Sequence, residues 1–142
     1  MKQEGEIIFQ NGLAYLKEVN VLYNGLYKVG TEYNDYCVYE FLNGKEFKRS
    51  NYDSNDILQS QTFLYENGIS ELIIFDEIGN KKFEHFYLNN KLDGPSKIYD
   101  ENENVLITMN FKNGRLHGEK LIFNIDGTIK EKHNYENGIE IK

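Results

Sequence analysis

Hydrophobic and polar residues alternate along most of this chain with a period of two, the signature of strands that have one apolar face. The pattern is plainest at 105–112, where Val105, Ile107, Met109 and Phe111 share one side and Leu106, Thr108, Asn110 and Lys112 the other. One 24-residue step later, Ile129, Glu131, His133 and Tyr135 take the first side, and Lys130, Lys132, Asn134 and Glu136 the second. One step earlier, Phe83, His85 and Tyr87 line the equivalent side. The alternating runs are bounded by Asn, Asp and Gly, the residues that tolerate tight turns.

The alternation repeats in register. Tyr87, Phe111 and Tyr135 stand 24 residues apart, and Tyr99 and Phe123 follow the first two by 12. Residues 87–94 read Tyr-Leu-Asn-Asn-Lys-Leu-Asp-Gly, 111–118 Phe-Lys-Asn-Gly-Arg-Leu-His-Gly, and 135–138 Tyr-Glu-Asn-Gly. Upstream, Tyr65-Glu-Asn-Gly68 and Phe41-Leu-Asn-Gly44 continue the series, and Phe75 leads into Asp76-Glu-Ile-Gly79. Further back, Tyr23-Asn-Gly25 and Phe9-Gln-Asn-Gly12 keep the aromatic residue and the Asn-Gly pair but lose the spacing. Six Asn-Gly pairs fall at these points, with Asn at 11, 24, 43, 67, 113 and 137. Asn-Gly is the preferred pair of a two-residue type I′ turn, in which both positions need φ > 0. Half a period accommodates one strand and one turn. The sequence therefore predicts an all-β fold, an open, twisted antiparallel β-meander of tandem hairpin repeats of about 24 residues. It reads as a single repeat domain over 1–142, with degenerate repeats in 1–40 and about four clear units in 41–142. Aromatic residues of successive units stack in columns, and Pro95 follows an Asp93-Gly94 turn, where it removes no central ladder bond.

Composition agrees with strands: 11 Tyr and 9 Phe against one Ala. The net charge of −7, from 23 acidic and 16 basic residues, disfavours nucleic acid and anionic membranes and suits a basic protein partner. The single cysteine, Cys37, excludes an internal disulfide and reads as a small buried hydrophobe. The N-terminal residues lack the apolar stretch of a secretory signal, and no apolar run is long enough to span a bilayer, so a cytoplasmic location is expected.

Candidate chemistry is sparse. His85 and His133 are two periods apart and share a column flanking Met109, and His117 lies in a Leu-His-Gly turn. None has the ligand spacing of a metal site or an evident nucleophile partner. The acidic turns Asp53-Ser-Asn-Asp56 and Asp100-Glu-Asn-Glu103 offer oxygens to a hard cation but lack the EF-hand loop, and turn carboxylates commonly bind their own backbone. The glycines recur at turn spacing, never as a phosphate cradle. No catalytic residue, cofactor or metal is expected.

The pattern aromatic-x-Asn-Gly-x-Leu-x-Gly resembles the MORN repeat, specifically the variant repeats of bacterial proteins, with Phe111-Lys-Asn-Gly-Arg-Leu-His-Gly-Glu119 the closest match. The resemblance covers 41–142 well and 1–40 poorly. It implies a non-catalytic protein-interaction module, in many bacterial members an antitoxin or immunity protein, here suited to a basic toxin. A membrane-peripheral module and a structural or assembly repeat are the alternatives. The candidate partner surface is Tyr23, Tyr27, Tyr33, Asp35, Tyr36 and Tyr39, where tyrosines gather among acids and the repeat fails; Tyr23, Tyr33 and Tyr39 are equally readable as continued core columns. The last strand, from Ile139, is an edge that could pair with a second copy, unless Glu140 and Lys142 prevent it.

Overall fold

A computed structural model describes residues 6–17 and 21–142; the leader reading of residues 1–5 lies outside them. Strands account for 66% of the chain, all antiparallel, and the described residues contain no helix. Two compact units, 1–64 and 65–142, are described in turn.

In 1–64, strands β1 (Ile7–Gln10), β2 (Leu13–Leu16) and β3 (Val21–Leu22) form one antiparallel sheet in that order. A meander follows: β4 (Gly25–Gly30), β5 (Tyr36–Leu42), β6 (Lys45–Tyr52) and β7 (Leu58–Leu64), each paired with the next. A core forms where β2 packs against the β5–β6 turn. Ala14, Tyr23 and Phe41 are buried there, with Ile7, Leu16, Tyr27 and Tyr39 packed around them. Phe9 of β1 lies 6.3 Å edge-on to Tyr27 and 6.1 Å from Phe41. Burying one such side chain stabilises by roughly 1.5–3 kcal/mol, so this small cluster anchors the unit.

In 65–142 the strands are β8 (Ile69–Phe75), β9 (Lys81–Leu88), β10 (Lys91–Tyr99), β11 (Val105–Lys112), β12 (Arg115–Leu116), β13 (Gly118–Phe123), β14 (Ile129–Glu136) and β15 (Ile139–Ile141). They pair in chain order, with the short β12 on β11 before β13 takes over the pairing. Ile74, Phe83, Ile98, Ile107 and Ile122 form one cross-strand column. The parallel column runs Leu72, His85, Ser96 and Met109. Alternation thus predicted the faces. Yet within this unit only Ile73 and Ser96 are buried. A one-layer sheet half-covers its side chains with their cross-strand neighbours and leaves the rest in water.

Two kinds of turn alternate. Asn11-Gly12, Asn43-Gly44, Asn89-Asn90, Asn113-Gly114 and Asn137-Gly138 each have positive φ at both residues, as type I′ requires. The others are three-residue loops. In 31–35, 53–57, 76–80, 100–104 and 124–128, the first residue's N–H donates to the carbonyl of the fifth at 2.8–3.0 Å, and the fourth, in positive φ, donates back to the first. This is a type I turn closed by a G1 bulge. Asp53, Asp76 and Asp100 reinforce it, each Oδ1 accepting two backbone N–H groups of its own loop.

Three sequence assignments need correction. Asn24-Gly25 is not a turn: Gly25 opens β4 with φ +133°. Asp93-Gly94 and His117-Gly118 are not turns either but irregular steps, the first within β10 and the second between β12 and β13, with φ +99° and +94° at the glycines. The three steps are structurally equivalent. The carbonyl before each (Tyr23, Leu92, Leu116) accepts the glycine N–H of a later type I′ turn (Gly44, Gly114, Gly138) at 2.7 Å. The middle side chain (Asn24, Asp93, His117) accepts the N–H of that turn's Asn at 2.7, 3.2 and 3.4 Å. The step kinks the strand so that the next hairpin's turn docks on it. Asn67-Gly68 has positive φ at both residues but lies in a three-residue loop closed by Tyr65 and Ile69.

Candidate interaction surface

The six residues singled out in the sequence divide between opposite sides of the β4–β5 hairpin. Tyr23 is core: it is 7% exposed and its hydroxyl donates to the Leu26 carbonyl. Tyr27 and Tyr39 pair across the strands on that same side, their rings 6.4 Å apart. The Arg49 guanidinium lies 5.5 Å from the Tyr39 ring and is clamped by Glu46 through bonds of 2.6 and 2.9 Å. Burial pushes the Tyr39 phenol up, as it does the half-buried Cys37 thiol beside it.

The other three residues reach solvent. The 31–35 loop turns on Asn34 at φ +65° and leaves Tyr33 74% exposed, with Asp35 exposed beside it. Tyr36 starts β5 on the side away from the core. Its ring stacks on Tyr52 at 4.9 Å with a 13° interplanar angle, and the Lys28 ammonium sits 3.9 Å over its face. Its hydroxyl donates to Asp56 Oδ1 at 2.7 Å, and that bond, then burial, raises the phenol to about 12. Lys28, Tyr52 and Asp56 were therefore missed. Counting back from the Asn43-Gly44 turn sets Tyr36 opposite Asn51. The register shift between Glu40 and Phe41 moves the partner by one, to Tyr52. A bulge of this kind has no fixed sequence mark.

Chemistry elsewhere is structural. His85 Nδ1 contacts the buried Ser96 hydroxyl at 3.0 Å, and burial lowers its pKa. His133 bridges Glu140 (2.6 Å) and Glu131 (3.1 Å), which raise its pKa. Burial pushes the Glu84 carboxyl up, but hydrogen bonds from Lys81 and Tyr99, both 2.8 Å, outweigh it and hold the group low. Among the described residues, no three His, Cys, Asp or Glu side chains converge as metal ligands. Among the described residues, no helix is long and apolar enough to cross a membrane.

No family model matches the chain, and no curated protein matches it. Among solved structures it is similar to TarM: a point mutant from S. aureus in complex with fondaparinux, alpha-GlcNAc-glycerol and UDP, at 9% identity and a TM-score of 0.49. A second TarM crystal structure matches at 9% identity and a TM-score of 0.42. Each match covers 83% of this chain and 21% of the other, so the chain spans about a fifth of the length of the proteins it matches. At that distance the likeness says nothing of what this chain binds.

Proposed function

We propose that this chain is a non-catalytic protein-interaction module of MORN-like variant repeats, and that its partner is a basic protein, such as a toxin that it would neutralise. The observation that carries the reading is the group of residues at the start of β5. Tyr33 and Asp35 are exposed in the preceding loop, and half-buried Tyr36 stacks on Tyr52 and bonds Asp56 on the side away from the core, in a chain of net charge −7. Tyrosine offers large contact area at low entropic cost, and the carboxylates favour encounter with a cationic surface.

Tyr33→Ala and Asp35→Lys test the proposal, since both side chains are exposed. With the partner captured from the native cell and then purified, each should weaken binding at least about tenfold, or 1.4 kcal/mol, and leave the melting temperature unchanged. Tyr36→Ala is a poorer probe, because it also removes the Tyr52 stack and the Asp56 hydrogen bond. Normal binding by both exposed variants would place the surface elsewhere.

A further inference from the structure

We propose that Asn11 is a site of spontaneous deamidation to isoaspartate, and that Asn43, Asn113 and Asn137, each likewise followed by glycine, are protected by the repeat architecture. In this reaction the deprotonated main-chain nitrogen of the following glycine attacks the asparagine Cγ. The new N–Cγ bond closes a succinimide ring, the Cγ–Nδ2 bond breaks, and ammonia leaves with the proton. Water then opens the ring at either carbonyl, so the sum is asparagine plus water giving isoaspartate or aspartate plus ammonia. The glycine N–H must therefore be free, and the turn must leave its positive-φ conformation for the attack to align.

Three turns are closed to this. The N–H groups of Gly44, Gly114 and Gly138 each donate at 2.7 Å to a carbonyl of the preceding step, and the N–H of each asparagine is held by Asn24, Asp93 or His117. Opening any of them means undocking one hairpin from the one before it. Asn24 is itself occupied, its Oδ1 accepting the Asn43 N–H. At Asn67 the Gly68 N–H has no acceptor among the described residues, but there the loop is pinned otherwise: the Gly68 carbonyl accepts the Asn89 N–H at 2.9 Å and the Asn89 side chain packs against Gly68.

Asn11 has neither restraint. No described residue accepts the Gly12 N–H, and nothing lies within 4 Å of the position a Gly12 Cβ would take. Its hairpin has four residue pairs, and β1 is the end strand of its sheet. Such short terminal hairpins open at low free-energy cost. The product has consequences for the core. Isoaspartate lengthens the main chain by one methylene and adds a negative charge where both turn residues must hold positive φ. β1 then loses its register on β2, and Phe9 leaves Tyr27 and Phe41.

The test is peptide mapping by mass spectrometry on the full chain, kept folded in warm, mildly alkaline buffer and sampled over time, with isoaspartate scored by enzymatic methyl transfer. The folded protein should deamidate at Asn11 at least about tenfold faster than at Asn43, Asn113 or Asn137, the ratio given by a difference of 1.4 kcal/mol in opening free energy. In concentrated urea the four rates should converge. Equal rates in the folded protein would overturn the proposal. So would an Asn11 excess that persists unchanged in urea, since the cause would then be sequence and not structure.

Discussion

Gly12, Gly44 and Gly114 occupy the same position of the same turn, with φ +77°, +75° and +81°, so alanine at each isolates what surrounds the turn. The conformational cost is common to all three: an L-residue in the left-handed region loses roughly 1–2 kcal/mol relative to glycine. The contacts are not. A Cβ at Gly12 or Gly114 would meet nothing within 4 Å, whereas at Gly44 it would lie 2.7 Å from the Ala14 carbonyl oxygen and 2.7 Å from Leu22 Cδ2. Leu22 can rotate, but the Ala14 carbonyl cannot retreat. It accepts the Tyr23 N–H at 2.9 Å, and the Ala14 N–H donates to the Gly44 carbonyl at 2.7 Å. Overpacking of this kind adds about 1–3 kcal/mol, so Gly44→Ala should cost roughly 3 kcal/mol and Gly114→Ala about 1. Gly12→Ala should cost no more than Gly114→Ala. Urea unfolding followed by circular dichroism measures all three, with exposed Lys112→Ala as a control near zero. Equal losses for Gly44→Ala and Gly114→Ala would refute the close approach of β2 to the β5–β6 turn.

Three further outcomes follow from the polar groups. Hydrogen bonds donated to Glu140 and Glu131 raise the His133 pKa above 6.5, whereas burial lowers that of His85 below it, so an NMR pH titration should resolve them in that order. The bond to Glu140, whose pKa His133 lowers, ties β15 to β14, with Lys120 opposite His133 and Lys142 near Glu140. The histidine's contribution is present below its unfolded pKa and lost as pH rises through the raised folded value. The Glu140 contribution is lost as pH falls through the lowered one. β15 should thus be best ordered between these two folded values, and His133→Ala should abolish that window in amide-resonance intensities of 139–141. In the 100–104 loop, backbone hydrogen bonds from Asn104 and Asn102 hold the Asp100 carboxyl below its ordinary range. Asp100→Ala should therefore lower the melting temperature, whereas Glu101→Ala should leave it unchanged.

The regular half of the fold was legible because two independent periodicities agree there. Alternation within 105–112 and 129–136 fixes the faces, and the 24-residue recurrence fixes the pairing, so Ile107 opposite Ile98 and Ile122 follows from counting. The Asn-Gly rule located four two-residue type I′ turns correctly, met a longer loop at Asn67 and failed at Asn24. The dipeptide supplies positive φ at its glycine, and a strand step needs that as much as a turn does. Only the distance to the following turn tells them apart. Asn24 precedes Asn43 by 19 residues, and Asp93 and His117 precede Asn113 and Asn137 by 20, whereas the type I′ turns that begin at Asn89, Asn113 and Asn137 stand 24 apart. Aligning Asn24 with Asp93 instead of with Asn113 brings the first repeat into register.

The interaction surface was less legible because its geometry depends on features that carry no residue signature. Tyr27 and Tyr39 were inseparable from Tyr33 and Tyr36 by composition; what separates them is parity along β4 and β5, and parity is countable only once the 31–35 loop is known to hold three residues between Thr31 and Asp35. That loop lacks the Asp and Gly of its counterpart at 76–80 and relies on Asn34 for positive φ, so Asn34-Asp35 could be read equally as part of a strand. With the loop placed, Tyr36 falls on the side of Lys28, and the bulge at Glu40 then brings Tyr52 beneath it. Aromatic residues that fill columns in the repeats at 65–142 are here half committed to a core and half turned outward. A one-layer sheet has two faces and only one short β1–β2–β3 cover in its first unit, so whichever tyrosines lie opposite that cover have only their cross-strand neighbours to pack on, as Tyr36 has Tyr52 and Lys28. The outward Lys28–Tyr36–Tyr52 stack follows from that asymmetry, and Tyr33 is exposed beside it because the 31–35 loop lifts it out of the strand.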